Sequence, residues 1–91
     1  MEWRASHILV KDRNLATHIL KEIKSGKDFK VMAREHSTCP SKGKGGDLGW
    51  FGEGQMVRDF EMAVKKLGSG RISNPVHTQF GYHIIKKTGQ K

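Results

Sequence analysis

The chain has 91 residues, with seventeen Lys and Arg against nine Asp and Glu, for a formal charge of +8 at pH 7. That length suits a single domain over residues 1–91 and leaves no room for a second core. One cysteine excludes an internal disulfide, and no apolar run approaches the ~20 residues that span a bilayer.

The opening Met1-Glu2-Trp3-Arg4 lacks the apolar stretch of a secretory signal, so a monomeric, cytoplasmic protein with no membrane contact is the expectation. A basic surface attracts nucleic acid, anionic lipid or acidic protein. Here the charges are dispersed, and the densest pairs, Lys65-Lys66 and Lys86-Lys87, are too short for a basic arm. Weak binding of nucleic acid or an acidic surface is all that this charge implies.

Ser6 to Val10 is β-branched and apolar and predicts a buried strand. Asp12 or Asn14 caps a helix whose apolar stripe is Leu15, Ala16, Ile19, Leu20 and Ile23. Lys21 and Lys24 suit its C-terminal end, and Gly26 suits the left-handed position beyond it. Asp28 caps a second helix with Phe29, Met32, Ala33 and His36 on its inner face. Ser37 to Gly46 has the composition of a loop. A short strand at about Leu48 to Phe51 comes next, then a helix from about Val57 to Leu67, closed by Gly68-Ser69-Gly70. Ile72 to Thr78 predicts a strand that begins late or lies at an edge, because Pro75 has no ladder donor. Phe80 to Lys87 is the last strand, close enough behind for a tight hairpin.

Between residues 43 and 54 lie six of the eleven glycines. That density means backbone held in turns or closely approached. Neither G-x-G-x-x-G nor G-x-x-x-x-G-K-[ST] occurs there, so it is not a phosphate loop. Met56, Phe60, Ala63, Val64 and Leu67 follow at helical spacing. Leu48, Met56 and Phe60 therefore gather at one corner, either as core or as the lining of a shallow apolar pocket.

His7 and His83 each stand at the mouth of an apolar strand, in His7-Ile8-Leu9-Val10-Lys11 and His83-Ile84-Ile85-Lys86. Period two puts His7 with Leu9 on one face and His83 with Ile85 on one face. Two imidazoles are thereby partly removed from water, as hydrogen-bonded core residues or as working groups. Among five histidines and one cysteine there is no C-x-x-C, H-x-x-x-H or H-E-x-x-H, which argues against zinc. Cys39 lies in the polar run Ser37-Thr38-Cys39-Pro40-Ser41, away from any apolar stripe, and its residue type leaves inert and functional roles equally open. A hydrolytic pairing of Cys39 with His7 or His83 has no visible oxyanion site or third orienting group.

Three blocks, in order, resemble the parvulin family of peptidyl-prolyl cis/trans isomerases. They are Arg4-Ala5-Ser6-His7-Ile8-Leu9-Val10-Lys11, then Gly45-Gly46-Asp47-Leu48-Gly49-Trp50-Phe51 continuing through Gly54-Gln55-Met56-Val57 to Phe60-Glu61, and Phe80-Gly81-Tyr82-His83-Ile84-Ile85-Lys86. The resemblance covers nearly the whole chain. It implies an α+β fold, a four-stranded, largely antiparallel sheet wrapped by helices in the order β-α-α-α-β-α-β-β. The short third helix then has to fall within Pro40 to Gly45, where composition says loop.

The resemblance also implies a site. His7 and His83 match the family's paired histidines, Cys39 its active-site cysteine and Thr78 the hydroxyl beside them. Leu48, Met56 and Phe60 match the proline pocket, Phe80 a further wall position, and Gln55 lies next to the site. His18, His36 and His77 match nothing functional, and Ser37 reads as a capping or turn residue. No cofactor or metal is implied. The partners implied are proline-containing peptides and unfolded proteins.

These residue types suit the reaction. Its barrier is amide resonance, ~18–20 kcal/mol. Twisting the bond makes the prolyl nitrogen more basic and strips charge from the carbonyl, so an apolar grip with few donors to that oxygen favours the twisted state. Phosphate-directed members carry a basic cluster in a long first loop, whereas here the connection is only Lys11-Asp12-Arg13-Asn14. No strict phosphate requirement is expected. Asp59 departs from the family's frequent proline before Phe60, which leaves that helix start less rigid. The alternative from another class is a non-catalytic basic module that binds nucleic acid or proline-containing peptides.

Overall fold

The first strand extends beyond its apolar run. In the computed structural model, which describes residues 1–91, β1 covers Glu2–Val10 rather than starting at Ser6. Trp3 and Ala5 explain the extension: they are buried while Glu2 and Arg4 point outward, continuing the period-two pattern. α1 covers Arg13–Lys24, and of its two candidate caps Asp12 takes the role, accepting the Asn14 N–H at 3.1 Å. α2 covers Phe29–His36, with Asp28 at its N-cap but making no side-chain capping bond. His36 is only half-buried, so it belongs to the rim of that helix and not to its inner face.

The segment that composition marks as loop holds a 3-10 helix, Pro40–Lys44, where the parvulin resemblance requires its short third helix. Pro40 pre-sets the first turn and left-handed Gly45 ends it, so two residues fix a helix too short for a periodic signal. β2 covers Asp47–Gly52 and α3 Arg58–Lys66. β3 is short, Val76–Thr78, because Pro75 keeps the preceding residues out of the ladder; Ile72 forms only an isolated bridge with Lys86. β4 covers Gly81–Gln90 and so outlasts its expected end at Lys87. The sheet order is β2-β1-β4-β3, with every neighbouring pair antiparallel.

The central pair β1 and β4 separates two cores. On one face Ile8, Val10 and Ile84 meet Ala16, Ile19 and Leu20 of α1 and Phe29, Met32 and Ala33 of α2. On the other, Trp3, Ala5, Phe51 and Ile85 meet Phe60 and Val64 of α3. His7 and His83 lie on this second face, since they alternate with Ile8 and Ile84. α3 covers only part of it and leaves a cleft at the end where the histidines stand.

Gly46 is fixed by both conformation and space. Its φ is +91°, and a Cβ there would stand 2.4 Å from the His7 carbonyl oxygen. Gly54, with φ +80°, has open space around it. Gly46→Ala should therefore lose about 2–4 kcal/mol of stability, from strain plus a backbone clash. Gly54→Ala should lose about 1 kcal/mol, from conformation alone. Urea unfolding of both variants checks the order; equal losses would show that β1 yields at His7.

Candidate active site

β1 delivers His7 and β4 delivers His83. In their register His7 faces Ile85 and Leu9 faces His83, so the histidines are diagonal neighbours on one face. Their Nδ1 atoms are 2.9 Å apart, and the rings stack at 23° with centroids 5.0 Å apart. On the far side of His83, Thr78 Oγ1 lies 2.7 Å from Nε2. All three residues are buried. Phe80 N–H donates to the same Thr78 oxygen at 3.1 Å.

Each ring contact needs one donor and one acceptor: one between the Nδ1 atoms of His7 and His83, the other between His83 Nε2 and the Thr78 hydroxyl, which also accepts the Phe80 N–H. A single proton therefore lies between the two Nδ1 atoms, and His7 Nε2 is a buried atom with no partner in the protein. Burial, reinforced by the neighbouring His83, lowers the His7 pKa to about 4. Burial lowers that of His83 to about 4 as well. Both rings are neutral near pH 7.

Beside the rings opens a cleft of about 450 Å³. His7, His83, Cys39, Leu48, Gln55, Met56, Phe60 and Phe80 line it, which gathers all but one of the candidate residues. The exception is Thr78, which stands behind His83. Four further lining residues, Leu9, Thr38, Pro40 and Val57, were not singled out from the sequence. Each is a sequence or same-face neighbour of one that was, and that adjacency was the available signal. His18 pairs with Glu22 and His77 stacks on Tyr82, both away from the cleft.

Phe60 is core and pocket at once. It is buried, and its ring contacts His7, His83 and Phe51 edge-on, with centroids 5.6, 5.3 and 6.2 Å away. Met56 is half-buried, and Phe80 is 54% exposed at the rim. Two polar contacts shape the glycine-rich turn before α3: Gln55 Oε1 accepts Gly52 N–H at 2.7 Å, and Glu61 Oε1 accepts Gly54 N–H at 2.8 Å. Asp59 and Glu61 give the helix start negative charge, which suits its dipole. Phe60 is seated in the core with Asp59 before it, so the departure from proline does not displace it. No three of the His, Cys, Asp and Glu side chains converge as a metal site would require.

The rotamase family model, described as the PPIC-type PPIase domain, matches residues 7–89. The chain belongs to the PPIC-type peptidyl-prolyl cis/trans isomerase family. It is 54% identical over 89 residues to the foldase protein PrsA of Bacillus subtilis, covering 97% of this chain and 30% of that protein. The crystal structure of the peptidylprolyl isomerase PrsA from Bacillus anthracis superposes with a TM-score of 0.98 at 50% identity, over 99% of this chain and 42% of that one. NmPin, the parvulin of Nitrosopumilus maritimus, is similar over 96% of its own chain, with a TM-score of 0.86 and 44% identity. This chain thus spans about a third of the length of the curated foldases it matches. These relatives bear out the parvulin resemblance and its α+β fold, and they favour a peptidyl-prolyl isomerase domain over the non-catalytic module of the alternative reading.

The imidazole pair makes stability depend on pH. Both folded-state pKa values lie below the free value of 6.5, so the unfolded chain binds these protons more tightly. The rings' contribution is complete above pH 6.5 and is lost as pH falls from there through about 4. Urea unfolding at about pH 4.5 should show a loss of up to about 2–3 kcal/mol per ring against neutral pH. Nitrogen-15 NMR should find each ring in one fixed tautomer, with a single proton shared between the two Nδ1 atoms. Rings that average freely and titrate near the free value would refute the arrangement.

Proposed function

We propose that this domain rotates X-Pro bonds in unfolded or flexible protein segments, without a covalent intermediate and without requiring phosphate. The observation that carries this is the cleft lining: twelve residues, none of them Lys, Arg, Asp or Glu, with two neutral imidazoles on one side. A proline ring in contact with Leu48, Met56 and Phe60 is gripped by apolar surface. The neutral rings beside it offer hydrogen bonds without a fixed charge that would hold the planar, charge-separated amide. Cys39 is half-buried and its Sγ has no hydrogen-bond partner in the protein, which fits a supporting role better than that of an activated nucleophile.

Affinity in such a cleft is low. Burying a proline-sized side chain contributes about 1.5–3 kcal/mol, so with a few backbone hydrogen bonds Kd lies at roughly millimolar to high micromolar. Weak, sequence-tolerant binding suits a folding catalyst acting on many chains. A solved Campylobacter jejuni chain, from work describing PEB4 and Cj1289 as SurA-like chaperones, carries a similar domain at 41% identity. The charge of +8 adds a screened attraction for acidic chains and, weakly, for nucleic acid. A monomeric state is proposed for the domain, to be read from sedimentation. No helix is long and apolar enough to cross a membrane. The cytoplasmic location rests on composition alone; Cj1289 is described as periplasmic, so fractionation of the native protein decides the compartment.

Two measurements test this reading. Met56→Ala should lower kcat/KM at least about tenfold with a stability loss near 1 kcal/mol, since Met56 is half-buried. Phe60→Ala should lower activity and cost about 3–5 kcal/mol, because it also empties the core. If Met56→Ala loses activity only in proportion to unfolding, the pocket assignment fails. On matched Leu-Pro, Glu-Pro, Ser-Pro and phospho-Ser-Pro peptides, turnover should be measurable throughout. A preference for the phosphopeptide above about a hundredfold, some 2.7 kcal/mol, that survives raised salt would reveal a dedicated phosphate site.

A further inference from the structure

Ser37 lies just past α2 and is buried although it is a serine in a polar loop. Its Oγ accepts two backbone N–H groups, that of Leu9 on β1 at 3.0 Å and that of Cys39 at 3.3 Å. Thr38 completes the contact from the other side: its backbone N–H and its hydroxyl both donate to the Leu9 carbonyl, at 2.8 and 3.2 Å. Residues 37 and 38 therefore take up both main-chain groups of Leu9. The far end of the same loop closes on β1 as well, where His7 N–H donates to the Gly46 carbonyl and Gly46 N–H to the Ser41 carbonyl, each at 2.9 Å. The loop that carries Cys39 is thus pinned to the histidine strand on both sides of Ile8.

The two pins differ in what they rest on. At Gly46 the bonds run between backbone groups and survive most substitutions. At Leu9 the backbone bond from Thr38 would also survive, but the N–H groups of Leu9 and Cys39 depend on one hydroxyl, that of Ser37. The Cys39 side chain adds no tether of its own. Leu9 and Cys39 both line the cleft. We propose that Ser37 is the positioning residue for Cys39: its hydroxyl holds the Cys39 backbone against the strand that bears His7, and so sets where the thiol stands in the cleft. This rests on the isomerase reading of that cleft.

Removing the hydroxyl orphans two donors, and the loop relaxes to hydrate them. The proline pocket on the α3 side is untouched, so the loss should fall on kcat and not on KM. Ser37→Ala should lower kcat/KM about tenfold, with KM changed less than about twofold. In a Cys39→Ala background the same substitution should cost less than about twofold, because the group being positioned is already gone. Equal losses in both backgrounds, or a loss confined to KM, would overturn the proposal. Amide hydrogen exchange of the unaltered protein gives a second reading that needs neither activity nor a variant. The Cys39 N–H should exchange at least about tenfold more slowly than in an unstructured peptide, and exchange at the unstructured rate would overturn the proposal even if Ser37→Ala failed to fold. An inactive unaltered protein with a protected Cys39 amide would instead refute the isomerase reading and leave the pin standing.

Discussion

The contact between His7 Nδ1 and His83 Nδ1, 2.9 Å long and out of water, holds only while one nitrogen donates and the other accepts. Two imidazolium rings there would repel across a dry gap. Burial removes that state by lowering both pKa values to about 4. The contact also fixes the register of the sheet. A one-residue slip between β1 and β4 would turn one histidine to the α1 and α2 face, expose part of each core and break the pair. The two strands that carry the paired histidines are therefore also the central strands of the fold.

Thr78 and Phe80 extend this order to the edge of the sheet. The tight turn between β3 and β4 brings the Thr78 hydroxyl to His83 and lets it accept the Phe80 N–H. One hydroxyl thus bonds both the His83 ring and the backbone of an aromatic residue at the rim. The opposite wall is held differently. Gln55 and Glu61 each fasten a glycine N–H in the turn before α3.

The cleft that results has apolar walls and two uncharged polar rings, and it contains no fixed charge. Such a surface distinguishes a twisted amide from a planar one by what it declines to stabilise. It also reads little of the peptide beyond the proline ring. That is consistent with the recurrence of this domain inside much longer foldases, in which it fills about a third of the chain, and as nearly the whole of the archaeal parvulin.

The sequence by itself determined the three α-helices and the glycine corner with Leu48, Met56 and Phe60, because these depend on local periodicity and on residue types with narrow conformational preferences; the rest of the cleft lining was implied by the parvulin resemblance. The stripe of α1 and the late start of β3 after Pro75 were legible for that reason, while the pairing of His7 with His83 followed from the resemblance of three sequence blocks to the parvulins. Length was the weak point. The 3-10 helix at Pro40–Lys44 is too short for any period to register, and Trp3 and Ala5 join β1 only because α3 and β4 cover them. Tertiary structure alone decided that Thr78 stands behind His83 and outside the cleft, that Phe60 serves as core and pocket together, and that Ser37 ties the Cys39 loop to β1. Each of those facts is a contact between residues distant in sequence or brought together by a turn, and a hydroxyl or a ring carries no mark of which distant partner it will meet.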